Sequence, residues 1–425
     1  MTQETQHDFN RNIDNYVQIN NEIYRRDYQN PNILNMTSVS KTLFKNKFNF
    51  TEEDWISLPD FDGWTVDPSH VDYRQSAGGK WNLYNRIELK TEPGDWSTIR
   101  KLITHTYGKN SVEEDQTEEL YDYHTVLIKW PKQMQQARIL YSHQQGTSKS
   151  AVAKLEQGIF GDNYSKVRDE EISGDFNAIW IRSLVIWMDE PQFANQHKMS
   201  RKFRDMVTST TQNLRKMKQE HVPVPFYGKL LFTTNDSDFM PIDAGDRRYW
   251  VREVPPFDAK NDDPDFEKKM IAEIPHYLHY LLYEREMKYP KKADKTFWLP
   301  YSAIANSNAF KKMVKDTKSD LEVACREILE NWFIEHDANE VSFTLKTMRT
   351  LIQQELELTK LRDVGMQETV KVLRDVFGLE QPEENTRLKP RDPKLCISEG
   401  LTGKYWIADR KQFTTNLSIF DDVRV

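Results

Sequence analysis

The sequence predicts an α/β protein whose core is a parallel sheet, with the ligand site at the carboxyl ends of its strands. Three observations point there. Short apolar runs recur at 137–142 (ARILYS), 183–188 (SLVIWM), 229–235 (KLLFTTN) and 247–254 (RRYWVREV), as expected for strands buried on both faces. Segments of helical periodicity separate them, the alternation that builds parallel sheets. The first run passes through a polar loop into a helix-like segment, a unit that aims backbone N–H groups and a helix N-terminus at phosphate.

Composition bounds the rest. At 425 residues the chain has room for two or three domains of roughly 100–200 residues. Hydrophobic residues make up 38% and aromatics 12%, enough to build cores despite a mean hydropathy of −0.78. No run approaches the roughly 18 apolar residues of a membrane span. The N-terminus, MTQETQHDFNRNIDNY, lacks the apolar centre of a signal peptide. The two cysteines, Cys325 and Cys396, form neither a metal-ligand spacing nor a disulfide framework. They are expected to be packing thiols of the C-terminal domain, and a reducing cytoplasm is the expected setting. A net charge of −7 argues against a protein that coats nucleic acid over its whole surface. It leaves room for a local basic track. Eight basic residues (Lys198, Arg201, Lys202, Arg204, Arg215, Lys216, Lys218, Lys229) fall between Lys198 and Lys229, against two acids, Asp205 and Glu220. A solvated helix face is the competing explanation of that window.

Taken in order, residues 1–95 are rich in Asn, Asp and aromatics and read as an irregular α+β accessory region. WSTIRKLITHTYG (96–108) is a helix stopped by Gly108, and EDQTEELYDYHTVLIKW a second helix stopped by Pro131. The four strand runs and their intervening helices follow. FEKKMIAEIPHYLHYLLYEREM (266–287) is helical, with a break expected at Ile274-Pro275. The core domain thus spans 96–290 and a linker spans 291–318. The region 319–425 holds three helical segments, 319–335, 342–356 and 362–378, then a strand-like edge at 404–413. Three helices and a hairpin suit a winged-helix-like domain; an α+β cap without a nucleic-acid role is the alternative.

Chemistry concentrates in YSHQQGTSKS (141–150). The phosphate-binding pattern G-x-x-x-x-G-K-[ST] places a lysine on the β/γ-phosphates and a hydroxyl on Mg²⁺. Lys149 and Ser150 stand in those places, with Gly146, Thr147 and Ser148 completing the loop. Serines, Ser142 and Ser148, occupy both glycine positions. At Ser148 a non-glycine residue is expected to strain the backbone by about 1 kcal/mol or more, so ATP binding or turnover is expected to be slowed. VIWMDE ends an apolar strand with Asp189 and Glu190; an NTPase needs one carboxylate near Mg²⁺ and another to orient the attacking water. KLLFTTN ends in Asn235, an amide able to position that water or sense the γ-phosphate. GDRRYW carries Arg247 and Arg248, and an arginine supplied by a neighbouring subunit can stabilise phosphoryl transfer. Each has a plainer explanation taken alone: a strand end, a turn, a surface pair.

The order of these elements, from about Trp96 to Phe257, resembles the superfamily 3 helicases. It looks closest to the ATPase domains of phage and plasmid primase-helicases related to poxvirus-type primases. The phrases carrying the resemblance are WNLY (81–84), ILYSHQQGTSKS, IFGDNY (159–164), SGDFN (173–177), VIWMDE, KLLFTTN and GDRRYW. The resemblance implies an AAA+-like P-loop ATPase core that binds ATP and Mg²⁺ at the interfaces of a hexameric ring. Ser150 and Asp189 would hold the metal, Glu190 would be the base for water, Asn235 the sensor amide, and Arg247 or Arg248 the finger arginine. It further implies a pore loop on single-stranded DNA, with Lys216 or Lys218 as the contact. His221 and Phe226 lie nearby and have the chemistry to stack on a base; a core or turn role is the plainer explanation of both. Duplex DNA at the C-terminal domain, a primase or polymerase partner, and a phage or mobile-element origin in a bacterial cytoplasm complete the expectation, with no membrane association. Two other functions stay open: a catalytically weakened P-loop protein serving as a DNA-binding scaffold or replication-initiation adaptor, and an assembly protein that uses ATP for packaging or remodelling.

Overall fold

A computed structural model describes residues 12–27, 33–35, 37–40, 42, 45, 51–144, 146–174, 176–193, 197–215, 221–240, 242–243, 245–257, 263–305, 307–316, 320–355, 365–380, 382–387 and 402–413. The chain divides into two compact units. One comprises Met1–Gln192, Lys202–Ser237 and Ala244–Met313; the other comprises Phe193–Arg201, Asp238–Asp243 and Val314–Val425.

The first unit is an α/β structure around five strands: β1 (Ala137–Tyr141), β2 (Tyr164–Lys166), β3 (Val185–Asp189), β4 (Lys229–Thr234) and β5 (Tyr249–Glu253). Their spatial order is β5-β1-β4-β3-β2, and every neighbouring pair is parallel. This is a P-loop-compatible core. Residues of β1 and β4 are buried throughout, which explains why the four runs carry almost no polar alternation. The chain leaves β1, crosses to β2 at the far edge, returns through β3 and β4, and then passes over β1 to β5. The strand order therefore reverses beside β1, and in open sheets of this kind ligands bind at such a switch point, beyond the carboxyl ends.

Helix α1 (Ser97–Tyr107) ends at Gly108 and α2 (Thr117–Lys129) ends at Trp130, both where the sequence placed their stops. Gly108 has an ordinary negative φ of −71°. It is needed because a Cβ there would run into the carbonyl of Thr104. The helix α3 (Lys149–Phe160) follows the loop after β1. The 266–287 segment is divided, as the proline requires: Phe266–Ala272, then Ile274–His279 running into a π turn at Tyr280–Glu284. In the N-terminal part, small sheets form at 16–25 with 60–61, and at 64–65 with 76–82. One of the links from this part to the core runs through two amides. Asn85 N donates to Asn163 Oδ1 and Asn163 Nδ2 donates to Asn85 O, both at 2.8 Å, so the segment just after WNLY is held directly to IFGDNY.

Within the core, α3 is locked to β1 by a buried ion pair. Arg138 of β1 and Glu156 of α3 form a bidentate pair. His124 Nε2 lies 3.0 Å from Glu156 Oε1, His124 Nδ1 lies 2.7 Å from Tyr277 Oη, and the Arg138 guanidinium sits over the Tyr123 ring. The arginine and its hydrogen bonds hold the Glu156 carboxyl down at about 2 against the opposing effect of burial. Loss of water around both charges is offset only because nearly every partner is present.

The second unit has its own core, in which Cys325, Leu329, Trp332, Phe343, Ile352, Leu373 and Trp406 are buried together. Cys325 is a packing thiol, as expected, and burial raises its pKa to about 12; Cys396 lies outside the described residues. The order is helix Asp320–Glu335, strand Glu340–Thr344, helix Leu345–Glu355, helix Met366–Lys371 with a π turn to Val376, and strands Thr386–Arg387, Thr402–Gly403 and Tyr405–Asp409. The strand at 340–344 corrects the reading of 342–356 as one helix. Val341 and Phe343 are buried, and the strand pairs antiparallel with 405–409. That partner lies some sixty residues away, so local periodicity could not reveal it. Among the described residues, no helix is long and apolar enough to cross a membrane.

Candidate nucleotide site

The loop from Ser142 to Ser148 emerges at the carboxyl end of β1, and Gly146, Thr147, Ser148, Lys149, Ser150, Asp189, Glu190 and Asn235 line one cleft of about 460 Å³. Residues separated by up to 89 positions thus converge because β1, β3 and β4 are adjacent and parallel, so their carboxyl ends share one edge.

The two serines in the glycine positions behave differently. Ser142 N continues the β1–β4 ladder to Thr234 O at 3.1 Å, and Ser142 Oγ accepts from Gln144 N at 3.3 Å. Ser142 is not among the residues with positive φ, so nothing at this position demands glycine. Ser148 adopts φ 59°, ψ 12°, the left-handed region, directly before α3. That costs a non-glycine residue roughly 1–2 kcal/mol. The backbone thus keeps the geometry that glycine would adopt freely, and Gly146 at φ 72° supplies the other left-handed turn. Successive left-handed and helical residues of this sort form an anion-binding concavity.

Lys149 is largely buried. Its Nζ donates to Asn235 Oδ1 at 2.6 Å. Burial lowers the Lys149 pKa, while Glu190 and Asp189 act to raise it. Asn235 in turn donates from its backbone N to Glu190 Oε2 at 2.8 Å and from Nδ2 to Glu190 Oε1 at 2.7 Å. Glu190 has φ 50°, a second strained position. Asp189 Oδ1 accepts from Thr233 Oγ1 at 2.7 Å, and Oδ2 lies 2.8 Å from Lys166 Nζ. Lys149, Asn235 and Glu190 therefore form one connected chain, with Asp189 held separately beside it. Sequence reading missed Thr233 and Lys166. A Thr-Thr pair before Asn235 was the only signal for the first; β2, three residues long, was too short to announce the second.

The donor set fits a magnesium nucleotide. A twelve-residue helix presents its N-terminus, Lys149 supplies a cation, and Ser150 and Asp189 offer hard oxygen ligands. Among the described residues, no group of three or more His, Cys, Asp and Glu could hold a metal unaided. Magnesium here would therefore depend on phosphate oxygens for much of its coordination.

Other candidates stand elsewhere. Arg247 and Arg248 precede β5, whose first residue pairs with Ala137 at the amino end of β1. They are thus about 16 Å, five residues of strand, from the end that carries the loop. Arg247 is 63% exposed and 3.2 Å from Asp294, and Arg248 is 39% exposed and 3.1 Å from Asp246. The structure does not bring either to its own cleft. Lys216 and Lys218 lie outside the described residues. Two residues of the basic window are core residues: for Phe226 this is the plainer of its two readings, and for Lys229 it corrects the count of the basic track. Phe226 is buried, its ring edge-on to Trp180, so it has no face for a base. Lys229 is a core residue: its ammonium donates to the carbonyls of Pro131 at 2.5 Å and Tyr227 at 2.6 Å. Burial pulls its pKa down to about 7. It belongs to no basic track, because a strand fully buried on both faces carries it inward.

Residues 140–248 match a family of unknown function (DUF5906), about a quarter of the chain. That segment runs from the loop to the arginine pair. No curated protein matches the sequence. Among solved structures, the chain is similar to the apo C-terminal region of NrS-1, residues 305–718. The A form has 14% identity and a TM-score of 0.55, covering 88% of this chain and 94% of that one. A further apo structure of the same region has 14% identity and a TM-score of 0.54, covering 92% and 93%. Another A-form structure of the C-terminal region has 15% identity and a TM-score of 0.55, covering 92% and 94%. At these identities the likeness is one of fold, and it extends over nearly the whole length of both chains.

Proposed function

We infer that the protein is an ATP-dependent DNA translocase or helicase of the superfamily 3 type, acting in replication of a phage or mobile element. One observation carries this reading: Lys149, Ser150, Asp189, Glu190 and Asn235 line a single cleft at the switch point of a five-stranded parallel sheet. The near full-length likeness of fold to the NrS-1 C-terminal region supports it. So does the helix–strand–helix–helix–strand order of the second unit, which suits a winged helix and a duplex-DNA contact.

A bound magnesium nucleotide would supply the phosphoryl group and the charge that neutralises it. Lys149 and the backbone N–H groups of the loop would hold the phosphates, and Ser150 with Asp189 would hold the metal. Glu190 orients the attacking water and takes its proton. Asn235, bonded to both Lys149 and Glu190, couples the phosphate-binding lysine to the base. When Lys149 turns to a phosphate, Asn235 Oδ1 loses its donor and the amide that holds Glu190 is freed to rotate. Arg247 and Arg248, at the opposite end of the sheet from their own loop, complete a neighbour's site in a head-to-tail ring. The expected result is ATP hydrolysis stimulated by single-stranded DNA and abolished by Lys149→Ala or Glu190→Gln. Unchanged turnover in Glu190→Gln would overturn the assignment. A DNA-binding adaptor without nucleotide turnover is the competing reading, and absence of ATP binding in both the natural chain and Ser148→Gly would support it.

A further inference from the structure

We propose that Lys166 is a built-in counter-cation of the acidic pair, occupying the metal side of Asp189 until magnesium nucleotide displaces it. The proposal rests on the nucleotide-site reading above. Lys166 is the last residue of β2, in register with Trp187 of β3. Its ammonium is 2.8 Å from Asp189 Oδ2 and 4.1 Å from the centroid of the Trp187 ring. The other carboxylate oxygen accepts from Thr233 Oγ1 at 2.7 Å, and Trp187 Nε1 donates to that same hydroxyl at 2.9 Å. One threonine therefore pins both the carboxylate and the indole between which Lys166 sits.

Two consequences follow from this arrangement. The Asp189 oxygen left open by Thr233 is taken by an ammonium, where a divalent cation or its bound water would need to lie. Two cations at one oxygen repel, so metal entry requires Lys166 to leave. The ammonium already lies over the Trp187 face, within cation–π range, and can keep that contact as it leaves the carboxylate. It need not be expelled into bulk water. With Lys166 52% and Asp189 28% exposed, the pair is weak enough to exchange. Lys166 is a positioning residue: it keeps Asp189 oriented in the nucleotide-free protein and disfavours metal that arrives without phosphate.

The test uses the full chain with Lys166→Met, which keeps most of the aliphatic stem, and Lys166→Arg, which keeps the charge. Bound Mn²⁺ is measured by electron paramagnetic resonance with and without ADP, and affinity for a fluorescent ADP is titrated against Mg²⁺. In Lys166→Met the half-saturating metal concentration should fall about two- to fivefold, the range of a half-exposed ion pair. Metal binding without ADP should strengthen as well. Lys166→Arg should stay near the natural protein. Unchanged or weaker metal binding in Lys166→Met overturns the proposal while leaving the nucleotide site intact. If ADP affinity in the natural protein ignores Mg²⁺ and Asp189→Asn changes nothing, the site assignment falls as well.

Discussion

Replacing Ser148 by glycine separates the strain in the loop from its capacity to bind. Ser148 is held at φ 59°, which costs an L-residue with a Cβ roughly 1–2 kcal/mol. Glycine removes that cost but adds unfolded-state entropy of about 0.4–1 kcal/mol. It also deletes the hydrogen bond from Ser148 Oγ to Thr147 O at 2.6 Å, a local and half-exposed bond of small net worth. The net expectation is a gain of about 0.5–1 kcal/mol, or about 1–4 °C in the melting midpoint of a unit this large. Because the left-handed geometry is already present without ligand, its cost is common to the free and bound states and cancels in binding. ATP affinity should therefore move by no more than about threefold, well under 1 kcal/mol. Differential scanning fluorimetry and a fluorescent-nucleotide titration on the same preparations measure both quantities. A loss of stability on adding glycine would show that Ser148 is not strained, and a tenfold gain in affinity would show that the loop reaches this geometry only when occupied.

Glu156→Gln should destabilise the first unit by about 3–5 kcal/mol, because it strands the buried Arg138 cation; urea unfolding that shows a loss below about 1 kcal/mol would contradict the pairing. The same pair sets an acid limit. With the folded Glu156 pKa depressed to about 2, its contribution is complete above the unfolded value of about 4.5 and is lost as pH falls through about 2. It amounts to about 3 kcal/mol by linkage. Lowered by burial, His124 adds stability present above its ordinary value near 6.5 and lost as pH falls. Unfolding free energy should therefore decline from about pH 6 downward, and the Glu156→Gln protein should show a shallower decline. For the arginine pair, Arg247→Ala/Arg248→Ala and Lys149→Ala proteins should each be inactive in ATP hydrolysis. An equal mixture should recover about a quarter of the activity, since random head-to-tail pairing rebuilds that share of interfaces; no recovery would exclude action in trans.

Much of the fold was open to sequence reading because its core strands are buried on both faces. A run such as KLLFTT has no choice of environment, and its apolarity is the record of that. The helix stops at Gly108 and Pro131 and the break near Pro275 were equally legible, because sterics and the missing proline N–H act locally. The loop, the Asp-Glu pair and Asn235 were found through spacing and residue type, and the structure gathers them into one cleft. Local pattern failed where the deciding neighbour was distant: the strand at 340–344 looked helical because its partner at 405–409 could not be seen.

By itself, then, the chain determined four of the five strands of the parallel sheet, where the phosphate-type loop lies and which side chains gather around it. Tertiary structure decided what those side chains touch. Lys229 counted as basic surface until a doubly covered strand buried it, and Phe226 stood between base stacking and a core role until its packing against Trp180 decided for the core. Ser142 and Ser148 looked like equal departures, yet only the second occupies a left-handed backbone position. Lys166 and Asp189 became partners because parallel β2 and β3 end side by side. Residue type specifies chemical capacity, but charge state, strain and partner depend on the surroundings that folding supplies.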